Sequence, residues 1–344
     1  MEYVSLIFSL FVILICAEVF TNGVEILGER LSLSQAVVGS ILAAVGTALP
    51  ETIIPLVAIL LYKGEGGDQI GVGAILGAPF MLATIGMCMV GLGALISFLQ
   101  RKRDFEIYLE ESTFRRDFSF FLLSYSLAIA AGIFFPGNKP AHYILAFLLI
   151  LLYLNYIYRT FRADSLEVEA HEDLYLAKIL RRLSFNVGEK AERFLSLLQA
   201  VVAVLIMVEG AHLFVEAIEK ISTKFGLDPL LFSLLIAPVA TELPEKFNSF
   251  LWSLRKRDIL ALGNISGAMV FQSTFPVAVG LIFTPWKIEG LGLLSGLIAI
   301  GLISVYWVYV SRYKRLPIPI LLLSGVAYVC YAVLVVLSIS HGRV

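Results

Sequence analysis

Charged side chains are scarce in this chain: Asp, Glu, Lys and Arg make up 15% of its 344 residues, against about 25% in an average soluble domain. The 26 basic residues nearly balance the 27 acidic ones, which leaves none of the basic surplus that a nucleic-acid partner requires. Cysteine is rarer still. Cys16, Cys88 and Cys330 fall within apolar segments at no metal-ligand spacing, so they read as packing residues and exclude a disulfide framework or a zinc site. The four histidines, His142, His171, His212 and His341, are scattered with no H-x-x-x-H pair, which argues against a histidine-based metal centre. No nucleophile stands beside a base and there is no nucleotide loop, so an intramembrane enzyme is the least favoured class and no cofactor is expected.

What the chain has in abundance is apolar length. Hydrophobic residues reach 59% and the mean hydropathy is +0.88, far more than a soluble core of this size can bury. The reading is an all-α polytopic membrane protein with lipid as its surroundings. Apolar segments lie near 3–22, 33–62, 69–99, 117–135, 140–159, 194–215, 227–253, 259–284, 288–310 and 317–340. The first lacks the basic n-region of a signal peptide and is kept as a span. Several exceed the roughly 20 residues needed to cross a bilayer, so tilt or kinks are expected.

One of these segments carries charge and proline where neither is cheap. Ile236-Ala-Pro-Val-Ala-Thr-Glu-Leu-Pro-Glu-Lys-Phe-Asn-Ser249 holds Glu242, Glu245 and Lys246, each costing roughly 2.5–3.5 kcal/mol near a bilayer centre on insertion scales. Pro244 has no N–H and leaves the carbonyl of Ala240 without its helical donor. Thr241 and Glu245, four apart, share a helix face with that freed oxygen. Convergent oxygen ligands suit a hard cation such as calcium.

The same phrase occurs earlier as Val45-Gly-Thr-Ala-Leu-Pro-Glu51, with Thr47, Pro50 and Glu51 matching Thr241, Pro244 and Glu245 at an offset of 194 residues. Gly46 is then the counterpart of Ala240. A second match, Gly73-Ala-Ile-Leu-Gly77 with Gly263-Asn-Ile-Ser-Gly267, follows at an offset of 190. Two copies of one unit explain both, each with a Pro-interrupted apolar segment, which in secondary transporters points to the binding site. Ten spans make five per copy, and an odd number places the copies in opposite orientation: two inverted five-helix repeats. The expected division is a first repeat at 1–160, a cytoplasmic linker at 161–193 and a second repeat at 194–344. Alternate loops hold nineteen Lys and Arg on one side and six on the other, which places both termini outside a cell membrane. In the linker an acidic run is followed by Leu174, Leu176, Ile179, Leu180 and Leu183, a spacing that predicts a short amphipathic helix on the inner surface, favoured over a regulatory calcium site.

Glu51 and Glu245 are therefore the candidate cation ligands. Two facing carboxylates repel unless a divalent cation, two monovalent ions or protons neutralise them, and competition for one negative site is the basis of exchange. Thr47 and Thr241 sit one turn earlier, where a hydroxyl either adds a ligand or bonds back to its own helix. Gly46, Gly73, Gly77, Gly263 and Gly267 would let helices approach closely. Thr84, Asn264, Gln272, Ser273 and Thr274 are further polar candidates on the third helix of each copy.

The motifs Gly46-Thr-Ala-Leu-Pro-Glu51 and Ala240-Thr-Glu-Leu-Pro-Glu245 resemble the Gly/Ala-Thr-Ser-Leu-Pro-Glu cores of the cation/calcium exchanger superfamily, in particular prokaryotic sodium/calcium exchangers. Gly77-Ala-Pro-Phe-Met-Leu82 and Gly263-Asn-Ile-Ser-Gly-Ala-Met-Val-Phe-Gln272 are similar to the Gly-Asn-x-x-Gly-Ser-Asn-x-x-Asn/Asp pattern that follows each core. The resemblance implies a ten-helix exchanger whose second, third, seventh and eighth helices enclose the cations, Glu51 and Glu245 being the principal ligands. Departures fall at Ala48, Glu242, Ala78, Pro79, Leu82, Ala268 and Gln272, where the family carries polar ligands. The expected function is a secondary active antiporter exchanging a divalent cation, Ca2+ first, for Na+ by alternating access. The alternatives are an H+-coupled version and a transport-inactive cation-binding membrane protein.

Glu242 and Lys246 have no charged counterparts in the first copy, which has Ala48 and Thr52 there. A Glu four residues before a Lys is the favoured order for a helical ion pair, and mutual neutralisation is preferred here to Glu242 acting as a third cation ligand. On that reading Lys246→Met, which strands the glutamate, should disturb calcium binding at least as much as Glu242→Gln. A titration in which Glu242→Gln abolishes binding while Lys246→Met leaves it intact makes Glu242 a ligand.

Overall fold

The computed structural model describes residues 2–31, 48–109, 111–163, 174–182 and 188–340. Among the described residues eight helices are long and apolar enough to cross a membrane, and two shorter apolar ones, Leu49–Leu61 and Pro229–Leu243, join them. Large aliphatic and aromatic side chains such as Phe8, Phe11, Phe147, Leu205 and Leu323 lie exposed along the long helices, as a surface in contact with lipid requires. The chain is a multi-pass membrane protein.

Helix α1 (Glu2–Arg30) and the later α7 (Glu189–Phe225) pack against each other along their lengths. They run antiparallel, since Gly23 faces Ser196 and Ala200 while Gly210 faces Ser9 and Ile13. An ion pair closes each end, Arg30 to Glu192 at 2.6 Å and Lys224 to Glu2 at 3.9 Å.

The centre is built from α2 (Leu49–Leu61), α3 (Gly67–Leu99) and α8 (Pro229–Leu254). Helix α3 lies parallel to α8. Ser233 Oγ donates to the Ile70 carbonyl and Ser253 Oγ to the Val90 carbonyl, both across 163 residues of sequence. Gly73 and Gly77 are why the two helices can come so near: a Cβ at either would overlap the carbonyl oxygen of Leu230 or Leu234. The Leu234 carbonyl is also the one that Pro238, lacking an N–H, leaves without its helical donor.

Helices α4 (Glu111–Phe134) and α9 (Asp258–Gln272) form a second parallel pair. Ser266 Oγ donates to Asp117 Oδ2 at 2.6 Å, and one heptad further on both helices the hydroxyls of Ser124 and Ser273 are 2.7 Å apart. Around this frame α5 (Lys139–Ala163) packs on the short α10 (Phe275–Phe283), α11 (Gly290–Tyr313) on α4, and α12 (Ile318–Ser340) on α3.

The loops gather at two ends. At one, β1 (Glu106–Tyr108) pairs antiparallel with β2 (Arg315–Pro317), and Arg103 grips Asp258. At the other, Glu219 accepts from Tyr62 Oη and from the Gly66 amide, and Lys139 Nζ donates to the carbonyls of Ile282 and Thr284. Segments that the charge count groups on one side of the membrane thus meet one another.

The copies share more than a motif. Helix α3 loosens into a π-helical turn at Leu82–Gly86, and the expected span 259–284 is interrupted at the corresponding place, between α9 and α10. Pro79 removes a helical hydrogen bond just before the first break, and Pro276 stands in the first turn after the second, where its missing N–H costs none. Thr84 Oγ1 donates to the Phe80 carbonyl and Thr274 Oγ1 to that of Val270, the same bond at the 190-residue offset.

The linker's expected short helix is α6 (Tyr175–Arg182). It does more than lie on a surface. Leu174 and Ala177 bury against Ile26 and Leu195. The amides of Tyr175 and Leu176 donate to Asn22 Oδ1 and Gln199 Oε1, so α1 and α7 cap its N-terminus. Residues 164–173 and 183–187 lie outside the described residues.

The glycine expectation holds for one copy and not for the other. A Cβ on Gly263 meets nothing within 4 Å, and one on Gly267 meets only the Tyr156 hydroxyl at 3.6 Å. Gly77→Ala should therefore cost stability, about 2 kcal/mol or more, because backbone must move. Gly263→Ala should be neutral or gain about 0.5–1 kcal/mol from helix propensity. Melting temperatures of the two variants in one detergent check the contrast.

Candidate cation site

A small space of about 10 Å³ lies between α2, α3 and α8, close to the lower limit of about 10–15 Å³ for holding one water. It is lined by Glu51, Ile54 and Pro55 of α2, Ala74 and Ala78 of α3, and Ala237, Pro238 and Thr241 of α8. Both copies of the sequence motif contribute to it, through Glu51 and Thr241. It also marks a seam in the packing: Ile54, Ala74 and Ala237 belong to the apolar cluster shared with α1 and α7, whereas Ile75, Leu76 and Leu234 belong to the larger cluster around α4, α9 and α11.

Glu51 is 7% exposed and stands in the first turn of α2, after Ala48 at the N-cap and beside Pro50. Amide N–H groups unsatisfied in a first turn favour a carboxylate there. Thr241 is 2% exposed and donates its hydroxyl proton to the Ala237 carbonyl at 3.1 Å. That back-bond leaves the lone pairs of Oγ1 as acceptors, so bonding to its own helix and ligating a cation are compatible for this residue.

The other expected site residues divide into three groups. Glu242 and Lys246 are both 2% exposed, one turn apart on α8, and each has an interaction partner. Ala240 is half-buried and packs against the apolar cluster shared with α1 and α7. Gln272, at the last turn of α9, is 2% exposed, and its Oε1 is a buried acceptor without a donor; it does not line the cavity. Gly46 and Thr47 lie outside the described residues, as does the side chain of Glu245, although its backbone continues α8. Among the described residues no group of three or more His, Cys, Asp or Glu comes together. An oxygen shell here would mix carboxylate with hydroxyl and carbonyl, a donor set suited to hard cations.

The inner walls formed by Pro55, Pro238, Ala74 and Ala78 were missed in the sequence reading. The available signal was a second proline in each motif segment, Pro55 after Pro50 and Pro238 before Pro244.

Comparison with known proteins bears directly on this arrangement. The family model described as sodium/calcium exchanger protein matches residues 1–162 and 195–339. The chain belongs to that family. Its members are transporters, and the chain is a membrane protein of the wider calcium/cation exchanger superfamily. CaxA of Alkalimonas amylolytica is 23% identical over 321 residues, spanning 91% of this chain and 92% of that protein. Inner membrane protein YrbG of Escherichia coli K12 is 23% identical over 316 residues, 91% and 89% of the two chains. Among solved structures, the H+/Ca2+ exchanger CAX is similar with a TM-score of 0.71 at 17% identity, covering 99% of this chain and 88% of that one. The sodium-calcium exchanger NCX_Mj, soaked with Na+ and Sr2+, is similar with a TM-score of 0.54 at 19% identity, covering 98% and 97%. The fold is that of the cation exchangers.

Glu51→Gln keeps the shape of the lining and removes its charge, so calcium affinity should fall about tenfold or more, the scale of losing a charged contact worth about 1.5–3 kcal/mol. Thr241→Val should weaken binding less and Thr241→Ser should restore it. Isothermal titration with calcium checks the series. Glu51→Gln binding as tightly as the unmodified protein would put the ion elsewhere.

Proposed function

We propose that the protein is a secondary active antiporter that exchanges a divalent cation, Ca2+ as cargo, for Na+ by alternating access around the cavity between α2, α3 and α8. The observation that carries this reading is the placement of the buried residues Glu51 and Thr241, one from each copy of the repeated motif, on the wall of a single small space. A buried carboxylate needs a counter-charge, and a site that either of two cations can neutralise, but not both at once, couples their movements. Glu245, the repeat partner of Glu51, supplies the second carboxylate in this account. Thr47 and the carbonyls of Gly46 and Ala240 complete the shell in this account, while Lys246, one turn on, neutralises Glu242.

The ten apolar segments are taken as ten spans in two inverted five-helix repeats, 1–160 and 194–344. The linker 161–193 and the basic loops face the cytoplasm and both termini lie outside. Parallel packing of α3 on α8 and of α4 on α9 is what such a topology demands, since each pair must then start from the same side.

A second counter-ion is favoured by one feature of the lining. Ala74 and Ala78 contribute no side-chain oxygen to the cavity, and binding several sodium ions requires more oxygen ligands than a proton does. Proton coupling needs only a carboxylate able to take up H+. Calcium uptake into vesicles holding the purified protein separates the readings. Uptake driven by an outward Na+ gradient is expected for sodium exchange, and uptake driven by a pH gradient, indifferent to Na+, for proton exchange. Calcium binding without flux under either gradient overturns the antiporter reading and leaves a cation-binding membrane protein.

A further inference from the structure

Where α3 and α8 stop and α9 begins, a cavity of about 580 Å³ opens beside β1, far from the small space at Glu51 and sharing no residue with it. Four cations line it, Arg101, Lys102, Arg103 and Lys256, together with Asp104, Glu106 and Asp258. Two of these three carboxylates are already taken. Both Nη atoms of Arg103 hold Asp258, at 3.0 and 2.7 Å, and Arg315 Nη1 holds Glu106 at 2.6 Å. Arg101, Lys102 and Lys256 make no ion pair or side-chain hydrogen bond among the described residues, so the wall carries uncompensated positive charge with Asp104 alone opposing it.

Two details show that the cations are held in place rather than scattered on a surface. The Arg103 side chain is only 7% exposed, and its Nε is a buried donor with no acceptor. Arg101 and Lys256 adopt left-handed backbone angles, φ 57° and 62°. Each is the residue just past a helix C-cap: the amides of Arg101 and Lys102 bond to the carbonyls of Phe98 and Ser97, and those of Lys256 and Arg257 to Ser253 and Trp252. Glycine is the low-strain occupant of that position, so two neighbouring helices place a cation there at a conformational cost. Lys314, the C-cap of α11, is also left-handed, φ 54°, but it reaches Glu111 at 3.1 Å and stands outside the cavity. The first two residues of α9, Asp258 and Ile259, complete the same wall, at the helix end whose amides have no intrahelical partner.

We propose that this cavity binds a phosphate group, either the phosphodiester of an anionic lipid headgroup or free phosphate. Guanidinium, ammonium and first-turn amide donors around one opening match the oxygens and the charge of phosphate, and a basic cavity at the end of a helix bundle stands at headgroup level. The inference does not depend on the transport reading, and its test measures binding rather than flux.

The full chain in detergent is titrated with phosphatidylglycerol, with phosphatidylcholine as the uncharged comparison, and read by native mass spectrometry; inorganic phosphate is titrated separately and read by thermal shift. Arg101→Gly/Lys256→Gly removes both cations while relieving the backbone, so its melting temperature should hold or rise, and it should bind the responsive probe about tenfold more weakly or worse. Lys314→Gly should bind as the unmodified chain does. If the glycine pair lowers the melting temperature, Arg101→Gln/Lys256→Gln is expected to show the same loss of binding. A response to phosphatidylglycerol identifies the headgroup as the source, and a response to inorganic phosphate alone identifies the free ion. The unmodified chain taking up neither probe, or taking up phosphatidylcholine as readily as phosphatidylglycerol, overturns the proposal, as does a double variant that binds undiminished.

Discussion

The near-contact of α3 with α8 at Gly73 and Gly77 is the constraint on which the rest of the structure turns. Without side chains at those two positions, the α3 backbone settles against the Leu230 and Leu234 carbonyls. That approach is close enough for Ala74 and Ala78 to form one wall of a cavity whose opposite wall is Ala237, Pro238 and Thr241. Helix–helix association in lipid draws little from the hydrophobic effect and relies on small residues and interhelical hydrogen bonds. Ser233 and Ser253, each donating to a carbonyl of α3, supply those bonds on either side of the crossing. The same crossing brings segments from both motif regions of the sequence together, so that neither builds the cavity alone.

Proline and polar side chains deform these helices where a uniform helix would offer nothing to an ion. Pro55, Pro79 and Pro238 each remove a backbone donor inside an apolar segment, and the π-helical turns after Pro55 and Pro79 absorb the change. Thr84 and Thr274 tie back the loosened segments with equivalent bonds in the two copies. Such deformation is tolerated inside a bilayer because protein, not lipid, surrounds it: Ala78, Phe80 and Leu82 are almost wholly buried.

The ends of the bundle are organised by charge. At one end the β1–β2 ribbon and the Arg103–Asp258 pair bind together loops from both halves, and the same cations create the larger cavity. The docked helix α6 extends this coupling to the linker, since α1 and α7 cap its amides through Asn22 and Gln199. The segment between the halves is thus attached to the antiparallel α1–α7 pair by directed hydrogen bonds as well as by apolar burial.

Composition alone determined that the chain lives in a membrane, because no soluble core of 344 residues can bury so much apolar surface, and the repeated Thr-x-x-Pro-Glu phrase singled out Glu51 and Thr241, because charge and proline are costly in such segments. Helix positions followed from apolar length, which is a local property. Contacts between helices were not legible in the same way. Gly73 and Gly77 look the same in sequence as Gly263 and Gly267, yet only the first pair touches a neighbouring backbone; nothing in a span reveals which face another helix will cover. For the same reason the sequence could not show that α6 is capped by α1 and α7, that Asp117 would meet Ser266, or that Arg101 and Lys256 would share a cavity. Apart from the bond of Leu176 to Gln199, those pairings join residues about 150 apart, and all of them depend on three-dimensional packing, which only the tertiary structure decided.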